Sequence, residues 1–281
     1  MNKIALITDS SCDLPQEIAD QYNIFIIPLR VITSKGDYKD RIDITPEAIL
    51  ECLETEIPKT SSPLPEDILQ VFNEVADQGY DEAICILISN KLSGTFNLIN
   101  SMSKEYNRIK ITCVDSLSLS MGLGCCVIEA AKAIKNQATI EKILETIKLV
   151  RNDMSVMFVV RTLEYLTAGG RIGKVAGTVG TLLNIKPVIK VDSEGSLETA
   201  NKTRGLKKAV ELMLNDVRKK FEDKPVNISI VHAGAMQEAE ELFKRAKSYL
   251  KSKSCIIAQI GSVLAVHTGS GLLGIIAYED K

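Results

Sequence analysis

The stretch AICILI-SNKLSGTFN, residues 83–97, decides how the chain is read. Residues 83–88 form an unbroken apolar run of strand length, and from residue 95 to 106 the apolar positions recur at helical spacing. Between them lies the polar turn Ser89-Asn90-Lys91-Leu92-Ser93-Gly94. Strand, turn and helix in that order make the repeating unit of an α/β sheet. Hydroxyls at Ser93 and Thr95 flank Gly94, so a ligand can approach the backbone closely where the unpaired N–H groups of the first helical turn face outward. Such a place suits an oxyanion. Taken alone it equally suits a plain helix cap, with Ser93 bonding only its own first turn.

The segments before this unit repeat its logic. Residues 3–8 read as a first strand ending in the polar turn Asp9-Ser10-Ser11-Cys12-Asp13, and Pro15 opens a short helix to about residue 22. A strand at 24–27 is stopped by Pro28, with 29–33 continuing it as an edge. Thr45-Pro46-Glu47 starts a helix with a cap and a proline at its first position. The polar segment Lys59-Thr60-Ser61-Ser62-Pro63-Leu64-Pro65 leads into another helix, with Glu66 and Asp67 in its first turn and Gly79 as its stop. After residue 97 come a strand at 110–115, the turn Ser116-Leu117-Ser118, and helices at 120–135 and 139–151. This alternation predicts a parallel sheet, whose ligands sit beyond the carboxyl ends of the strands. Asp9 and Ser10, Thr60 to Ser62, Ser93 and Thr95, and Asp115 and Ser116 should then crowd one sheet edge.

From Ser155 the pattern changes. A strand at 156–160 leads through Leu163-Glu164-Tyr165-Leu166 to Gly169-Gly170-Arg171, and residues 175–183 read as a helix rich in small residues. Strands at 187–191 and 197–202 flank Asp192-Ser193-Glu194-Gly195, a hairpin turn. Helices at 206–221 and 236–249 alternate with strands at 226–231, 255–260 and 273–278. The expected architecture is an N-terminal parallel-sheet α/β domain, 1–153, followed by a two-layer α+β domain, 154–281, with a ligand between them.

Composition narrows the function. With 45% apolar residues in 281, each half can bury a substantial core. A net charge of −2 leaves no basic face for nucleic acid. No apolar run approaches 18 residues and no basic leader precedes an apolar segment, so a cytoplasmic protein with no membrane span is expected. Seven cysteines without a C-x-x-C pair sit mostly inside apolar runs and read as small buried hydrophobes. Gly269-Ser270-Gly271-Leu272-Leu273-Gly274 spells a dinucleotide fingerprint, yet too little chain follows it for the required βαβ unit. Gly169 to Lys174 fails as a phosphate loop because Val175 replaces the magnesium-binding hydroxyl. The two histidines, His232 and His267, lack ligand-spaced partners, so neither a metal nor another cofactor is expected. A stand-alone serine hydrolase using Ser93 and His267 is the rival reading, although no G-x-S-x-G elbow is present.

Together the pieces resemble the DegV family of fatty-acid-binding proteins over nearly the whole chain. The carriers are Ile7-Thr8-Asp9-Ser10, Lys59-Thr60-Ser61, Leu92-Ser93-Gly94-Thr95, Val114-Asp115-Ser116, Leu163-Glu164-Tyr165-Leu166 with Gly169-Gly170-Arg171, Lys202-Thr203-Arg204-Gly205, and His267-Thr268-Gly269-Ser270-Gly271. The resemblance implies a long-chain fatty acid held between the two domains. It places the carboxylate on Thr60 and Ser93, beside Ser61, Gly94 and Thr95, with Arg204 and His267 in the polar network behind. It also implies a separate ATP-dependent fatty acid kinase that receives the bound acid for acyl phosphate formation, with Arg171 in an exposed loop as the partner-facing residue. Where relatives often carry a hydroxyl, this chain has Leu64. The expected tail walls are Phe158, Val160, Leu163, Leu166, Val179, Leu182 and Leu183.

The residue types suit that chemistry. A carboxylate taken out of water must keep several hydrogen bonds, and two hydroxyls plus the N–H groups of the Ser93 turn can supply them. The tail is the larger contribution: about 15 methylenes at roughly 0.8 kcal/mol each give a gross ~12 kcal/mol, less several for ordering. Burial of the tail would set affinity, and the hydroxyls would select an acid over an ester or alcohol.

Overall fold

The computed structural model of the chain describes residues 3–178 and 185–280. Its first half runs β1 (Ile4–Asp9), α1 (Gln16–Gln21), β2 (Ile24–Ile27), β3 (Arg30–Thr33), β4 (Gly36–Lys39), α2 (Pro46–Cys52), β5 (Lys59–Ser61), α3 (Pro65–Asp77), β6 (Glu82–Leu87), α4 (Thr95–Glu105), β7 (Lys110–Asp115), α5 (Met121–Lys135) and α6 (Ile140–Asp153). The second half runs β8 (Ser155–Val159), α7 (Glu164–Ala168), β9 (Ile185–Val191), β10 (Leu197–Arg204), α8 (Leu206–Phe221), β11 (Pro225–His232), α9 (Met236–Tyr249), β12 (Lys251–Gln259), α10 (Ser262–Thr268) and β13 (Leu273–Glu279).

β2, β1, β6 and β7 form a four-stranded sheet in that order, every pairing parallel. β1 and β6 are the central strands, and their near-continuous apolar sequences are buried on both faces, as a parallel sheet covered by helices requires. The helices start where local chemistry satisfies their first N–H groups: Thr45 caps α2 through Ala48 N, and Thr139 caps α6 through Lys142 N. α3 instead opens on Pro65, whose missing N–H needs no partner.

The segment expected to prolong β2 does something else. After Pro28 the chain leaves the parallel sheet, and β3 pairs antiparallel with β4 and β5 in a separate three-stranded sheet. Buried Arg30 helps to fix this turn-out, reaching Asp37 at 3.0 Å and Asp67 at 3.2 Å. Thr60 thereby sits opposite Val31 in a strand that its polar sequence did not announce.

The second half builds a mixed six-stranded sheet, β10-β9-β8-β13-β11-β12, in which only the β11 and β12 pairing is parallel. Its β9 and β10 hairpin turns at Asp192 to Ser196, as the sequence predicts. Of the helix expected at 175–183, the described residues show a 3-10 helix, Gly173–Thr178. Val179, Leu182 and Leu183 lie outside the described residues.

One apolar core joins the halves: Leu6, Ile84 and Ile86 of the parallel sheet share a cluster with Met121 and Leu123 of α5, Phe158 of β8, Ile189 of β9 and Leu264 of α10. Among the described residues no helix is long and apolar enough to cross a membrane.

Candidate functional site

Where β5 and the carboxyl end of β6 approach β8, α7 and α10, the core opens into a cavity. Its volume is about 90 Å³. Leu29, Ile88, Leu92, Leu119, Phe158, Leu166, Leu197, Val263 and Leu264 supply the apolar walls. Thr60, Ser61, Ser62, Ser93, Gly94, Arg171, His267 and Thr268 supply the polar ones. Most of the residues singled out in the sequence therefore meet on one cavity, from elements up to 207 positions apart.

Thr60 is carried by β5 and His267 by the last turn of α10, and Thr60 Oγ1 lies 2.8 Å from His267 Nε2. The other ring nitrogen, Nδ1, is buried with no hydrogen-bond partner. Burial first, and the nearby Arg171 charge second, hold the His267 pKa down at about 4, so the imidazole is neutral at pH 7.

The Ser93 turn is tied down from behind. Ser93 Oγ accepts from Thr95 N at 3.3 Å and lies 2.8 Å from Thr95 Oγ1, which donates to Ser62 Oγ at 3.3 Å. Ser93 thus takes up the first N–H of α4 from one position before the cap residue Gly94, and it also lines the cavity. Thr95 is fully buried and is not part of the lining; it stands behind Ser93. Gly94 has helical φ and ψ of −70° and −5°, and a Cβ there would meet only Ser62 Oγ at an ordinary 3.7 Å. The fold itself does not demand glycine at 94. What its absent side chain leaves open is space on the cavity wall.

Arg171 is half-buried rather than the exposed loop charge expected. Its Nη1 donates to Gly169 O at 2.7 Å and its Nε to Leu92 O at 3.2 Å, which ties the loop after α7 to the residue preceding Ser93. Arg204 is corrected more fully. It is exposed at the end of β10, opposite Ile185, and among the described residues it takes no part in the cavity. Of the expected tail walls, Phe158 and Leu166 line the cavity, whereas Val160 is buried core and Leu163 packs against that core.

A set of buried acids, which the sequence offered no reason to group, sets α10 in place. Gly261 N donates to Asp13 Oδ1 at 2.7 Å and Ser262 N to Asp40 Oδ1 at 2.9 Å, so two carboxylates from the first half hold the start of the helix that carries His267 in its last turn. Arg41 Nη2 bonds Asp13 Oδ1 and Gln259 O, both at 3.0 Å, and Ser10 Oγ donates to Asp40 Oδ2 at 2.8 Å. Asp9, one turn away, accepts from Ile88 N at 2.8 Å and so braces the end of β6. Burial pushes both Asp9 and Asp13 up to about 6.

The hydrolase geometry is not there. His267 Nε2 is committed to Thr60, Ser93 to Thr95, and among the described residues no hydrogen bond joins Ser93 to His267 or a carboxylate to the ring. A serine with no base beside it is a weak nucleophile.

Fold and site together define a two-part α/β protein with an apolar cavity whose mouth is walled by hydroxyls. The chain belongs to the DegV family, matching the description "Uncharacterised protein, DegV family COG1307" over residues 3–280. It is 36% identical to a DegV domain-containing protein of Clostridium acetobutylicum, across 99% of this chain and 100% of that one. A Thermus thermophilus DegV-family structure, described by its fatty acid binding, superposes with a TM-score of 0.93 at 35% identity and covers 100% of both chains. A Eubacterium ventriosum protein described as binding stearic acid gives a TM-score of 0.89 at 27% identity, covering 99% of this chain and 98% of its own.

Proposed function

We propose that this protein binds one long-chain fatty acid, with the carboxylate at the Thr60 and Ser93 hydroxyls and the tail among Phe158, Leu166, Leu197, Val263 and Leu264. The observation that carries this is the meeting of those two residues on one largely apolar cavity, where among the described residues no charged side chain hydrogen-bonds to either hydroxyl. Fatty acid binding by proteins of the same fold supports it. In this reading the halves 1–153 and 154–281 are two domains that form opposite walls of the site.

The neutral His267 ring donates from Nε2 to Thr60 Oγ1, leaving the Thr60 proton free for a carboxylate oxygen. Thr95 N–H donates to Ser93 Oγ from behind, and Gly94 and Ser61 leave room at the mouth. The head group then faces outward, where a separate ATP-dependent kinase can phosphorylate it, and Arg171 at the rim is the residue nearest such a partner. The protein is a cytoplasmic carrier that presents a substrate for lipid metabolism.

The test is extraction of the purified protein under denaturing conditions, mass spectrometry of the extract, and an assay for ester turnover. Stoichiometric fatty acid without turnover is the expected result. Absence of fatty acid, together with failure to bind added palmitate or oleate, overturns the reading.

A further inference from the structure

Away from the cavity, two cysteines meet in the parallel sheet. Cys85 of β6 and Cys113 of β7 are register partners. Neighbouring strands lie about 4.7–4.9 Å apart, within the Cα separation of roughly 4.4–6.8 Å that a disulfide spans. Cys113 Sγ also donates to Ser103 Oγ at 3.5 Å.

Their surroundings differ. Cys85 is wholly buried among Ile7, Leu87 and Ile99. Cys113 is half-buried on the outer strand and lines a surface groove with Asn100, Ser103 and Lys104. We propose that Cys113 and Cys85 are a peroxide-responsive dithiol, with Cys113 as the attacking sulfur and Cys85 as the resolving one.

The electrostatics agree. Burial pushes Cys12, Cys125 and Cys126 up to about 12 and Cys255 to about 11, and burial with the Glu56 carboxylate raises Cys52. Cys113 alone is shifted down, by the neighbouring Cys85 thiol first, against burial, and then by Ser103 and the Lys104 charge, while burial raises Cys85 well above its ordinary range. The thiolate is the reactive form of cysteine.

The chemistry balances with a hydroperoxide as the oxidant. The Cys113 thiolate attacks the outer peroxide oxygen, an S–O bond forms, the O–O bond breaks, and the departing alkoxide or hydroxide takes a proton. The Cys85 sulfur then attacks the Cys113 sulfur, the S–S bond forms, and the sulfenic oxygen leaves as water with the Cys85 proton. Two thiols and one hydroperoxide become a disulfide, an alcohol or water, and a further water. The new bond would clamp the strand that runs directly into the Ser89 to Ser93 turn.

The full-length protein is exposed to graded hydrogen peroxide, its remaining thiols are blocked with N-ethylmaleimide, and the digest is read by mass spectrometry. Cys113 is expected to lose its thiol before Cys52, Cys125 and Cys255, and to appear in a cross-linked peptide with Cys85. In Cys85→Ala, Cys113 should stop at the sulfenic acid and take up dimedone. Cys113 oxidising no faster than Cys52, or oxidising while Cys85 stays free in the wild-type digest, overturns the proposal. That digest needs no substitution, so a poorly folding variant does not obscure the answer.

Discussion

Gly169 and His267 are packed so closely that a Cβ on the glycine would lie 2.1 Å from the ring's Nδ1. The backbone at Gly169 is helical, with φ −77° and ψ −5°, so alanine is conformationally acceptable there and only the contact forbids it. Gly169→Ala should therefore displace the imidazole from Thr60 while leaving most of the fold in place. We expect fatty acid affinity to fall by about tenfold or more, the value of one or two lost hydrogen bonds near a charged group. Calorimetric titration with oleate, alongside a melting curve, measures both effects.

The two hydroxyls at the mouth can be separated from the tail. Thr60→Val keeps the shape and removes the donor, and Ser93→Ala does nearly the same. Each should cost on the order of 1.5–3 kcal/mol in binding of a fatty acid, the usual range for a hydrogen bond to an ionised group. Binding of the corresponding fatty alcohol should change far less, because no charge is left unpaired. Comparable losses for acid and alcohol would show that the hydroxyls shape the cavity rather than read the head group.

The sequence yielded the parallel sheet because β1 and β6 are apolar runs whose length and flanking turns leave little choice, and Ser93 because it ends such a run. It did not yield β5, since Lys59-Thr60-Ser61 becomes a strand only through its pairing with β3. α10 was missed for a related reason: seven residues flanked by glycines give too short a period to detect, and the carboxylates that hold its start lie more than 200 positions earlier. Arg204 shows the reverse failure. A short motif placed it in the site, while its exposed position at the end of the edge strand β10 keeps it out of the lining among the described residues.

Arg171 and His267 are coupled through charge. Burial is the larger cause of the low His267 pKa, and the guanidinium adds to it. Arg171→Ala should let the value rise part of the way from about 4 toward its ordinary 6.5. NMR titration of the His267 ring reads this directly, with His232 as an internal control. The same variant loses the bond to Leu92 O that steadies the Ser93 turn, so slower acyl phosphate formation with a cognate kinase is expected beside the titration shift.

Stability between pH 4 and 7 should carry opposed contributions that single variants can isolate, Asp9 acting in the same sense as Asp13. His267 has its folded pKa lowered to about 4 from 6.5, so its contribution is present above pH 6.5 and is lost as pH falls toward 4. Asp13 has its folded pKa raised to about 6 from 3.8, so the protonated acid favours the folded state below pH 3.8 and that advantage is lost as pH rises through 6. Each shift corresponds to on the order of 3 kcal/mol across its window. Asp13→Asn keeps an acceptor for Gly261 N and removes the titration, so the variant should gain on wild type as pH rises from 4 to 7. His267→Gln should do the opposite, losing less than wild type when the protein is acidified from pH 7 to 4. Urea unfolding of the three proteins at several pH values checks both slopes, and parallel curves for Asp13→Asn and wild type would show that the carboxyl at the start of α10 does not titrate in this range.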